Sequence, residues 1–81
     1  MFKVTRKAIK KVNEICSELE NHYKGSEITM ELLLYNIIKQ ADNKNDQKNM
    51  IKYLWEIYEW NDYREQTYYR ECIKNYFHVV V

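Results

Sequence analysis

Residues 4–23 read VTRKAIKKVNEICSELENHY, and their apolar side chains recur every three or four positions. That recurrence places the apolar side chains on one face of an α-helix and the charged ones on the other. The apolar face comprises Val4, Ala8, Val12, Ile15, Cys16, Leu19 and Tyr23. The spacing predicts a helix over residues 4–23, ended by Gly25 in a left-handed conformation.

The same periodicity predicts three further helices, over residues 28–41, 46–60 and 63–77. Ser26 or Thr29 is suited to cap the first of these, because both side chains carry a hydroxyl oxygen that accepts a backbone N–H. We therefore expect an all-α fold, a small bundle of three or four helices with a single layer-on-layer core. Residues 1–81 are expected to form one helical domain.

The last third of the chain admits two interpretations. In a continuous helix of about thirty residues, Asn61 and Glu65 would interrupt the apolar face with polar groups that need partners. Asp62 followed three residues later by Glu65 fits a capping box, which would start a separate helix. We favour the break.

Composition restricts the class of protein. The chain has 81 residues, no proline, one glycine and a formal charge of +1, which favours helices and argues against binding nucleic acid through the overall field. Its longest apolar run, residues 32–35, is far shorter than the roughly 20 residues of a membrane span, and no signal-peptide pattern opens the sequence. A cytoplasmic protein is expected, with Cys16 and Cys72 reduced. Its small core favours self-association.

Aromatic and acidic side chains are concentrated in the last third, which holds nine of the twelve aromatic rings. Such density exceeds what a small core needs, so some rings are expected at the surface, where tyrosine and tryptophan favour contacts with other proteins. On a helical wheel the apolar stripe of the fourth helix comprises Tyr68, Tyr69, Cys72, Ile73 and Tyr76, and most of this face is expected to belong to the core. The predicted protein-binding residues are Trp55, Glu56, Glu59, Trp60 and Tyr63, with the acids selecting a basic partner.

A basic stripe precedes the first acidic residue, Glu14. It consists of Lys3, Arg6, Lys7, Lys10 and Lys11, on the side of the first helix opposite its apolar face. One interpretation is a solvated face or pairing with acids of the later helices. One alternative is a nucleic-acid-binding regulator that contacts phosphates through these five residues. Another is contact with an acidic protein partner.

Catalytic and metal-binding patterns are weak. Cys16 with His22 and Cys72 with His78 repeat one spacing, but residues six apart on a helix point in different directions, so we expect no metal site. No cofactor and no enzymatic activity are expected, because no phosphate loop or nucleophile motif is present.

The function predicted from the sequence is a small non-enzymatic protein-binding module. The abundance of Asn, Lys, Ile and Tyr is typical of an AT-rich genome and suggests a phage- or plasmid-encoded inhibitor of a host or defence protein. A structural homo-oligomer is a further alternative.

Overall fold

The computed structural model describes residues 4–23 and 28–81, and the described chain forms four α-helices. They are α1 (Arg6–His22), α2 (Met30–Gln40), α3 (Lys44–Ile57) and α4 (Tyr63–Phe77). The predicted all-α bundle is confirmed. The described part of the chain has no helix of the length and apolarity that crossing a membrane requires.

Local capping explains where the helices begin. Thr5 and Thr29 accept the backbone N–H of Ala8 and Leu32, each at 3.2 Å, and Asn43 accepts that of Asp46 at 2.8 Å. Each bond satisfies an amide that has no partner within its helix. The predicted caps at Ser26 and Gly25 lie outside the described residues.

The last third is broken into two helices, as favoured from the sequence. Tyr58 ends α3 in an extended conformation, and Asp62 caps α4 by accepting the backbone N–H of Arg64 at 2.9 Å. In the predicted capping box Asp62 would accept the backbone N–H of Glu65. Asp62 is therefore the capping residue, as predicted, but it binds the amide one residue earlier. At the other end His78 adopts a left-handed conformation that terminates α4.

One hydrophobic cluster joins the four helices. Its buried members are Ala8, Val12, Ile15 and Leu19 of α1; Met30, Leu33, Leu34 and Ile37 of α2; Met50, Ile51 and Leu54 of α3; and Ile73 and Val79. The first three helices each contribute several buried residues, whereas α4 buries only Ile73 within its length. Val79 fixes the C-terminal tail against the core, while Val80 is exposed.

Polar contacts set the packing of α1 against α3. Asn49, buried on α3, accepts the backbone N–H of Thr5 at 3.3 Å and donates to the Asn45 carbonyl at 2.8 Å. The buried amide is therefore paired on both sides, as a polar group in a core must be. This contact holds the start of α1 beside α3.

Candidate functional site

The acidic junction, residues 55–63, connects α3 to α4 and contains the predicted protein-binding residues. Glu56, Glu59 and Asp62 are exposed, and Tyr63 is 76% exposed. From residue 53 to residue 63 the chain has three acids and neither lysine nor arginine. The junction therefore carries three exposed acids and one strongly exposed ring along its sequence.

The two tryptophans of the acidic junction are packed rather than free. The Trp55 and Trp60 ring centroids are 4.8 Å apart, and the Trp60 ring also lies 4.6 Å from that of Tyr58 and 6.0 Å from that of Tyr69. The Arg70 guanidinium covers Trp55 at 5.4 Å. Both indoles are half-buried against the core and stabilise the connection between α3 and α4. Tyr63 is the most exposed ring of the junction.

The indole nitrogen of Trp60 is an exception to ordinary polar pairing. Nε1 is buried, and no hydrogen-bond partner for it occurs in residues 4–23 and 28–81. Tryptophan N–H groups usually find a partner when buried. The energetic value of Trp60 at this position therefore comes from ring packing.

The basic stripe is partly engaged within the fold. Lys7 forms an ion pair with Asp42, and Lys11 lies 3.2 Å from Asp42 and 2.7 Å from Asp46. Lys11 also donates to the Gln40 carbonyl at 3.0 Å. Pairing with acids, one of the interpretations of the stripe, therefore accounts for these two lysines.

The remaining members of the stripe offer less charge than the sequence alone indicates. Arg6 and Lys10 are exposed on α1, and Lys3 lies outside the described residues. A surface that binds phosphates through five cations loses much of its attraction when two are neutralised by nearby carboxylates. The geometry therefore favours the acidic junction over the basic stripe as the candidate site.

The two cysteines are free thiols, each half-buried. Burial raises the pKa of Cys16, and the neighbouring Glu20 carboxylate raises it further. Within the described ranges, no group of three His, Cys, Asp or Glu side chains is arranged to hold a metal ion. The repeated Cys and His spacing thus brings no ligand set together there.

A second surface was not predicted from the sequence, a groove between α2 and α4 with a volume of about 910 Å³. Hereafter called the α2–α4 groove, it is lined by Tyr23, Thr29, Glu31, Leu32, Leu34, Tyr35, Ile38, Tyr68, Tyr69, Cys72, Tyr76 and Phe77. Tyr68 is 63% exposed and Tyr76 is 79% exposed, although the wheel placed both in the core. That assignment was wrong.

The error lies in the rotation of α4 about its axis. Its buried centre is Ile73, with Tyr69 and Phe77 one turn to either side packed on the core. The aliphatic side chain of Ile73 is buried, while Tyr68 and Tyr76 are exposed and keep their hydroxyl groups in contact with water. Centring the wheel on Ile73 would have placed Tyr68 on the opposite, exposed side of α4.

Comparison with protein families, with curated proteins and with solved structures finds no match to this chain. Among the described residues, the fold is a small four-helix bundle that carries an acidic, aromatic junction and an apolar groove.

Proposed function

We propose that this protein is a small non-enzymatic protein-binding module that contacts a basic partner through the acidic junction. The supporting observation is that Tyr63 is exposed in the same segment as three exposed acids, Glu56, Glu59 and Asp62, and that residues 55–63 include no lysine or arginine. An exposed ring supplies area that is desolvated on binding, and the acids favour partners with lysine or arginine. Packing of Trp55 against Trp60 holds the segment in place before binding, which lowers the entropy lost on association.

We further propose an inhibitory role for the same surface. A basic protein surface that binds nucleic acid is complementary to an acidic, aromatic one, and occupying it would block the nucleic acid. A phage or plasmid gene encoding an inhibitor of a host or defence protein fits this description. The composition, rich in Asn, Lys, Ile and Tyr, is its support.

Site-specific crosslinking tests the proposal. The photoreactive residue p-benzoylphenylalanine is placed at position 63 or, as the matched control, at position 76, where the native ring is equally exposed. In cells that naturally express the protein, we expect position 63 to capture a partner with a basic surface. Equal capture of that partner at both positions, or no capture at 63, would reject the acidic junction as the site.

Affinity measurements with the captured partner separate the contribution of the acidic side chains from that of the Tyr63 ring. We expect Tyr63→Ser and the double change Glu56→Gln with Glu59→Gln each to weaken binding about tenfold or more, and the wild-type affinity to fall with added salt. Glu14→Gln with Glu18→Gln removes the same charge from exposed positions on α1. If this control weakens binding as much as the junction variant, the attraction is nonspecific and the proposal fails.

A further inference from the structure

The outer face of α2 carries an ordered set of exposed side chains. Glu31, Tyr35, Ile38 and Lys39 fall within an arc of about 100° on the helix. All four are exposed, Tyr35 to 59% and Ile38 to 51%. Along the helix axis the face therefore runs from an acid, through a ring and an aliphatic side chain, to a base.

Charged side chains stand at both ends of this face. Within the described ranges neither Glu31 nor Lys39 forms an ion pair, and Lys39 lies 5.4 Å from the centre of the Tyr35 ring. Glu31 and Lys39 are separated by about 12 Å along the helix, with Tyr35 midway between them. The face adjoins the α2–α4 groove, to which Glu31, Tyr35 and Ile38 all contribute.

We propose that this face of α2 binds a second copy of the chain across a twofold axis, with the two α2 helices antiparallel. In that arrangement Glu31 faces Lys39 of the partner subunit, and the symmetry repeats the contact at the other end. Tyr35 lies at the axis, and Ile38 covers the apolar surface next to it. The exposed aliphatic and aromatic area is thereby removed from water at both ends of one interface.

Self-complementary charge is the reason for assigning a second copy. A twofold interface requires one patch to match itself, so an acid and a base must lie at equal distances on opposite sides of the axis. Glu31 and Lys39 satisfy this about Tyr35. A parallel arrangement would oppose Glu31 to another glutamate and would align the helix dipoles unfavourably.

This dimer uses none of the side chains of the acidic junction, so it stands or fails separately from the proposed function. Sedimentation velocity over a range of concentrations provides the test. We expect the average mass to rise from the 10.1 kDa of one chain towards twice that value. A wild-type protein that stays monomeric up to about 1 mM would overturn the proposal.

Charge reversal identifies the pairing. Glu31→Lys opposes two pairs of lysines and Lys39→Glu opposes two pairs of glutamates, so each variant alone should dimerise at least about tenfold more weakly. An equimolar mixture of the two variants should regain dimers, because every contact then pairs an acid with a base. The double variant carrying both changes should dimerise like the wild type. Dimerisation of the single variants at wild-type strength, or no recovery in the mixture, would overturn the assignment.

Two further variants separate loss of the interface from loss of the fold. Ile38→Ser removes exposed apolar area and should weaken the dimer, whereas Tyr63→Ser removes an exposed ring elsewhere and should leave it intact. Helix content and thermal unfolding, measured by circular dichroism at low concentration, establish that each variant is folded. A dimer that tolerates Ile38→Ser but not Tyr63→Ser would place the interface at the acidic junction instead.

Discussion

The Lys11 ammonium group on α1 donates a 2.7 Å hydrogen bond to the buried Asp46 carboxylate on α3. The same carboxylate accepts the backbone N–H of Asp42 at 3.0 Å. Burial raises the pKa of Asp46, but the hydrogen bonds from Lys11 and Asp42 outweigh that effect and hold the pKa below its ordinary value of 3.8. One carboxylate thus connects α1, the α2–α3 connection and the first turn of α3.

Acid should weaken this connection. Because the folded-state pKa of Asp46 lies below the unfolded value, its contribution is complete above about pH 5 and is lost as pH falls through the folded pKa. The pKa of Lys11 is raised above 10.5, chiefly by its hydrogen bond to Asp46, so the contribution of the lysine is lost only at higher pH. We expect the unfolding free energy to decline on acidification below about pH 4.

Asp46→Asn tests the source of that decline. The variant should lose about 1.5–3 kcal/mol of unfolding free energy at neutral pH, because hydrogen bonds to a charged group are replaced by weaker ones. Its acid-induced loss should be shallower than in the wild type. Urea unfolding followed by circular dichroism at several pH values measures both effects. Glu14→Gln, at an exposed site, should reproduce the wild-type pH profile.

Asn49 is expected to be important for stability. Replacing it with alanine leaves the Thr5 amide without its partner and should lower the unfolding free energy by about 1–3 kcal/mol. Asn75→Ala, at an exposed position of α4, should change it by less than about 0.5 kcal/mol. Urea unfolding of the two variants makes the comparison. Equal effects would show that the buried amide contributes nothing specific.

Trp60 should behave as a packing residue. Trp60→Ala should cost about 2 kcal/mol, below the range for a fully buried tryptophan because the ring is half-buried. Trp60→Phe should cost much less, since the Nε1 group that it removes has no hydrogen-bond partner among the described residues. Tyr63→Ala should be nearly neutral. Thermal unfolding distinguishes these cases. If Trp60→Ala leaves the unfolding free energy unchanged, the indole does not stabilise the fold and is better interpreted as a contact residue for a partner.

Dimerisation should protect the Cys72 thiol, which lines the α2–α4 groove. In a Cys16→Ser background, its rate of reaction with a thiol-specific reagent should fall as the protein concentration rises through the dimerisation range. Cys16, on α1, should show no such dependence in a Cys72→Ser background. In Ile38→Ser, whose dimer is weaker, the protection of Cys72 should appear only at higher protein concentration. An unchanged concentration dependence in this variant would mean that self-association covers Cys72 through another surface.

The helices were predictable because their determinants are local. Apolar spacing identified all four. Thr29 was one of two candidate caps for α2, and the spacing of Asp62 and Glu65 identified Asp62 as the cap of α4. The orientation of α4 was not predictable from the wheel, because Tyr68 and Tyr76 resemble core residues in hydrophobicity and surface residues in their hydroxyls. Their position depends on how Ile73 packs against other helices.

The candidate site was predicted in composition but not in detail. Glu56, Glu59 and Tyr63 are exposed as expected, whereas Trp55 and Trp60 pack against each other and the core. The contacts that hold them come from Tyr69 and Arg70 on the following helix, whose approach depends on the angle of the chain between α3 and α4. Ion pairing of Lys11 with Asp46, 35 positions away, is likewise a product of tertiary packing.

The single fully buried side chain of α4 has a consequence for motion. Detaching α4 exposes less buried apolar surface than detaching α1, α2 or α3, each of which buries three or four apolar residues. Backbone amides of α4 should therefore exchange with deuterium through partial opening, well before those of the other helices exchange through global unfolding. We therefore expect the native ensemble to include a minor form in which α1, α2 and α3 stay packed and α4 is detached. A partner that binds Tyr63 should lower the population of that form.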